Sequence, residues 1–181
     1  MYLETEIIGN NNEVALCELS DMYGLNLSTE VSSRENGYYN CMGFALGTYE
    51  WDELGNFECS YEYGYDGEVN PDYMELRDDV CWDCADELEN LHYTDRRFPK
   101  MRIVKSERDL LDNEYLIAMR MAEEDFHFMR RMPDGRWFEK CGPNILRECT
   151  DEVYDDEWIS IYGANYYNSV IVFLAVEQEA A

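Results

Sequence analysis

The architecture of this chain turns on the stretch FHFMRRMPDGRWFEK, residues 126–140. Met132-Pro133-Asp134-Gly135 is a turn by composition, because proline fixes one φ and glycine is free to take a positive one. The apolar and aromatic runs on either side, Phe126–Arg130 and Arg136–Lys140, read as strands, so the whole is a β-hairpin. That hairpin places Glu139 on the strand opposite His127.

Working outward, further strands are expected at Met101–Val104, Tyr115–Met121 and Val170–Val176. Upstream the pattern is helical. Tyr73, Leu76, Val80, Cys84, Leu88 and Leu91 recur at three- and four-residue steps after Pro71, which sits at a first helical position. The segment GYYNCMGFALGTYEW, residues 37–51, predicts a short helix whose first turn contains Cys41. Gly43 and Gly47 weaken that helix by about 1 kcal/mol each relative to alanine, so tertiary packing must hold it. Phe57 to Asn70, aromatic, acidic and glycine-punctuated, predicts an irregular loop or short hairpin. A helical N-terminal part followed by an antiparallel sheet is an α+β arrangement, and no linker or repeat divides residues 1–181 into more than one domain.

The formal net charge is −26, from 40 acidic and 14 basic residues, and its distribution is uneven. Residues 1–95 carry net −21, residues 96–147 net +3, and the remainder net −8. Such a field repels nucleic-acid phosphates and favours a basic peptide or protein partner, so direct nucleic-acid binding is not expected. Hydrophobic residues at 46% and aromatics at 14% exclude a disordered tail. No run approaches the roughly 18 apolar residues of a membrane span, and the opening residues lack the basic and apolar regions of a signal peptide. Seven cysteines, an odd number, then point to reduced thiols in the cytosol of the producing cell or of a host.

A cysteine attacks well only as thiolate, and a helix N-terminus and a nearby histidine both stabilise that charge. Cys41 is placed for the first and His127 for the second, with Glu139 as the group that orients the imidazole. The motifs Asn40-Cys41 with Phe44-Ala45-Leu46-Gly47, and Asp125-Phe126-His127-Phe128 with Asp134-Gly135-Arg136-Trp137, resemble the papain-like superfamily. They are most similar to bacterial and phage relatives of NlpC-type cell-wall peptidases. The resemblance covers roughly residues 36 to 140. It implies a papain-like fold, Cys41 as nucleophile, His127 as base, and no cofactor. Papain carries an oxyanion glutamine six residues before its cysteine; here that position is Glu35, whose carboxylate would repel an oxyanion. Asn36 beside it, or the Cys41 backbone amide, would serve instead. Relatives often have histidine as the third polar group, where this chain offers Glu139.

Other constellations carry less chemistry. Cys81-Trp82-Asp83-Cys84 has the spacing of half a zinc site or a redox pair, with Cys141 and Cys149 as conceivable completing ligands. Both members of the pair fall on or beside the apolar stripe of their helix, so core packing is expected and no metal site. His92 reads as a surface residue at a helix end. The acidic runs Asp151-Glu152 and Asp155-Asp156-Glu157 lack calcium-loop spacing. Three functions follow: a cysteine-dependent peptidase or amidase acting on a peptide or protein; an acidic, non-enzymatic inhibitor imitating nucleic-acid phosphates in a basic groove; or an inactive papain-like scaffold that binds a protein.

Overall fold

The computed structural model describes residues 12–27, 31, 38–54, 73–122, 125–142, 145–159 and 166–178. Asn36, Glu35 and the segment Phe57 to Asn70 lie outside the described residues. Among the described residues three α-helices come first: α1 (Leu16–Tyr23), α2 (Cys41–Leu46) and α3 (Tyr73–Thr94). The strands follow as β1 (Met101–Val104), β2 (Glu114–Met121), β3 (Phe126–Arg131), β4 (Trp137–Lys140), β5 (Leu146–Glu148), β6 (Trp158–Ile159), β7 (Tyr166–Tyr167) and β8 (Val172–Glu177). Six of them form an antiparallel sheet in the order β1-β8-β2-β3-β4-β5, and β6 and β7 pair separately. The expected α+β order of helices before an antiparallel sheet is therefore present.

The β3–β4 hairpin forms where its turn chemistry puts it. Gly135 adopts φ +89° and its N–H donates to the Met132 carbonyl. Arg130 pairs with Phe138 and Arg131 with Trp137. Strand bounds differ from the sequence expectation by a residue or two, and β8 begins at Val172 rather than Val170 because Val170 N–H is taken by the Asp78 side chain of α3.

The sheet is covered on both faces. On one face α2 and α3 bury Met42, Ala45, Cys84 and Leu88 against Ile117, Met119, Phe128 and Leu174. On the other, Trp137, Cys149, Val153, Trp158 and Tyr167 pack over Ala118, Met129 and Ala175. A third cluster wedges α1 between Phe44 and Phe138. This two-sided burial explains why β2 has six successive buried residues instead of an alternating pattern.

Gly43 and Gly47 serve α2 rather than merely weakening it. Gly47 closes the helix with φ +74°. At Gly43 the Glu50 backbone comes so close that a Cβ would lie 1.8 Å from the Glu50 carbonyl oxygen. Gly43→Ala is therefore expected to cost about 3 kcal/mol, the upper end for overpacking, and to displace the turn that carries Cys41. Chemical denaturation of the variant measures this, and an unchanged midpoint would contradict it.

Candidate active site

Cys41 opens α2 and Asn40 caps it. The Asn40 Oδ1 accepts from Gly43 N at 3.0 Å and Asp52 N at 3.3 Å, while its Nδ2 donates to Asp52 O at 2.6 Å. The cap thus ties the first helical turn to the segment beyond α2, and Thr48 donates to the Asp52 carboxylate to hold that segment in turn. On the preceding residue, the Tyr39 carbonyl accepts from the fully buried Lys140 ammonium at 3.0 Å. Burial pushes Lys140 down to about 8, opposed by the nearby Cys141 and Cys41.

His127 sits on β3, one residue from the strand's start. Its Nε2 lies 2.9 Å from Glu139 Oε2 on β4, and Cys41 is close enough to help hold the proton on the imidazole. The Cys41 Sγ lies 4.0 Å from the carbonyl of Phe126, the residue just before His127. Three of the four residues singled out in the sequence are thereby brought together, all buried: Cys41 and His127 at 7% exposure, Glu139 at 3%. The fourth, Asn36, is outside the described residues.

The imidazole is fixed by its walls. Tyr167 stacks on it with centroids 5.1 Å apart, and Trp158 meets it edge-on at 6.1 Å. Tyr167 is anchored by its hydroxyl to Asp125 at 2.7 Å, and the Trp158 indole donates to Val153 O at 2.9 Å. Glu139 is fixed equally well, since its second oxygen, Oε1, accepts from Arg147 Nε at 2.7 Å and from the Cys141 thiol at 3.3 Å. Arg147 in turn donates to Glu152.

Burial alone would strip the proton from His127, and it is the largest single influence. The Glu139 carboxylate and the hydrogen bonds to Cys41 and Glu139 together outweigh it and raise the imidazole above its ordinary value. Glu139 moves the other way: burial favours its neutral form, but His127 and Arg147 hold it well below the usual carboxylate range. Burial and the adjoining Glu139 push the Cys141 thiol up, so it remains a hydrogen-bond donor. The result is a buried imidazole–carboxylate pair, its carboxylate locked by an arginine, with the buried Cys41 nearby.

Beside Glu139, a cleft of about 130 Å³ runs along Arg147 and Trp158 and is rimmed by Glu152, Asp155 and Glu157. Sequence reasoning named Cys41, His127 and Glu139 but not Arg147, Trp158 and Tyr167, which contact His127 or Glu139. Their signal was weak: each lies in a strand of two or three residues, too short to show a period.

The remaining candidates are structural. Cys81 and Cys84 are buried in the α3 face, and the Cys81 thiol approaches the Met119 carbonyl at 3.8 Å. His92 lies at the helix end as expected, half-buried in the last turn of α3, its Nδ1 donating to Phe98 O at 2.7 Å while Arg96 donates to its Nε2. Among the described residues no group of three or more His, Cys, Asp or Glu is arranged to hold a metal ion, and no helix is long and apolar enough to cross a membrane. Comparison with protein-family models, curated proteins and solved structures finds no match.

Proposed function

We propose that this protein is a papain-like, cysteine-dependent acyl-transfer enzyme of the peptidase or amidase type. What supports this reading is the buried His127 imidazole, bonded to the Glu139 carboxylate at 2.9 Å, with the Cys41 sulfur 4.0 Å from the carbonyl of the neighbouring Phe126. In the proposed reaction the pair works as Cys41 thiolate and His127 imidazolium, and the sulfur attacks the substrate carbonyl to form a tetrahedral oxyanion. The imidazolium then protonates the leaving amine, giving a thioester that water or another nucleophile resolves. Glu139 keeps the imidazole oriented and stabilises its positive charge throughout. The Cys41 backbone amide, at the start of α2, is the oxyanion donor left among the described residues. The acidic rim of Glu152, Asp155 and Glu157 favours a basic peptide or protein segment as substrate, and a cytosolic setting suits the free thiols.

The test exploits Cys17, which is exposed while Cys41 is buried. Iodoacetamide with peptide mapping should modify Cys41 ahead of Cys17 in the native protein, because accessibility alone predicts the reverse order. The preference should vanish in His127→Ala. Modification in order of exposure, unaffected by His127, would remove the enzymatic reading.

A non-enzymatic role as an acidic inhibitor has one observation in its favour: Asp79, Asp83 and Asp86 lie exposed along one side of α3. Were a basic groove the target, Lys substitutions at these three positions should weaken partner binding and flatten its salt dependence, while Cys41→Ala leaves both unchanged. The opposite pattern supports the enzyme.

A further inference from the structure

The same hairpin buries another cation away from the imidazole. Arg130 on β3 is 4% exposed; its Nη1 donates to Phe44 O at 3.0 Å and to the Tyr49 hydroxyl at 3.1 Å, and its Nε has no hydrogen-bond partner. Its guanidinium lies 4.2 Å from the Tyr115 ring centroid. Among the described residues no carboxylate pairs with it. A buried cation without a counter-ion is costly, and the Phe44 carbonyl near the end of α2 offsets only part of that cost.

Arg130 lines a cavity of about 270 Å³, to which Arg97 and Arg131 also contribute, against one carboxylate, Glu177. Arg97 is shared with Glu50 and Asp95 on the surface. Three arginines among the lining residues of one cavity run against the grain of a chain with net charge −26. Tyr23, Tyr115 and Met132 supply an aromatic and apolar wall. Leu46 and Gly47 place the cavity at the C-terminal end of α2, the end opposite Cys41.

We propose that this cavity is a binding site for a small organic anion, its oxyanion group seated toward Arg130 and its apolar body against the tyrosines. The ligand supplies the negative charge that the surrounding fold withholds from Arg130. Carboxylates and phosphate monoesters share this chemistry, and a guanidinium binds either through paired N–H donors.

Calorimetric titration of the full chain with benzoate and with phenyl phosphate tests the site, the tighter of the two identifying the head group. At least one should bind saturably, whereas benzyl alcohol and benzamidine, which keep the ring but not the negative charge, should not. Arg130→Met should weaken binding at least about tenfold. Should that variant fail to fold, Asn26→Trp decides instead, since it fills an exposed part of the lining and leaves the guanidinium in place. Absence of saturable binding by either anion, equal binding of benzyl alcohol, or undiminished affinity in a folded Arg130→Met or Asn26→Trp protein overturns the proposal.

Discussion

Cys41→Ala is expected to lower acyl transfer to a basic peptide amide by on the order of 10⁴-fold or more while leaving the protein folded. The sulfur is the only protein atom to which the proposed chemistry joins the substrate, so no neighbouring group replaces it. The structural cost is small by comparison: a buried side chain of this size leaves a cavity worth about 1 kcal/mol. His127→Ala should lose nearly as much activity, and the double variant little more than either alone, because nucleophile and base act as one unit. Turnover of a fluorogenic peptide library, measured beside the denaturation midpoint, separates these effects. Full turnover by Cys41→Ala would end the enzymatic account.

Glu139→Gln is expected to be the most destabilising polar substitution at the site, by about 3 kcal/mol, because it leaves His127 buried without its counter-charge. The effect has a defined pH window. His127 is raised above its ordinary 6.5, so its contribution to stability is complete below that value and is lost as pH climbs through the folded-state value. Glu139 is lowered from its ordinary 4.5, so its contribution is complete above 4.5 and is lost as pH falls through the folded-state value. Both are complete only between pH 4.5 and 6.5, where the stability difference between wild type and Glu139→Gln should be largest. It should shrink on either side. A pH-independent difference would mean that the pair does not share a proton-linked charge. Activity should fall as well, since an amide in place of the carboxylate neither stabilises the imidazolium nor fixes its orientation.

Legibility followed the range over which each signal acts. The hairpin could be read because proline and glycine set their own backbone angles, and once it was placed, His127 and Glu139 fell on its two facing strands. Cys41 could be read because a polar cap and a short apolar run mark a helix start locally. What could not be read depends on residues remote in the chain. Arg147 becomes part of the site only because β5 pairs Arg147 opposite Glu139. Trp158 and Tyr167 reach the imidazole from the two-stranded β6–β7 pair, which no periodicity announces. Gly43 looked like a liability in a helix until the Glu50 backbone was seen lying against it.

The position of β8 sets an order on assembly. Its partners are β1 and β2, so Met101 waits for Val176, and Met119 for Val172, before either edge is closed. A nascent chain that has emerged only as far as β4 already holds the residues of the thiol, imidazole and carboxylate, yet β1 has no neighbour in the sheet and β2 is open along one side. Unpaired edges of this kind invite pairing with other chains, and closing long-range contacts is slow. During synthesis the protein is therefore most exposed to aggregation in the interval between its chemistry being encoded and its last sheet strand being delivered.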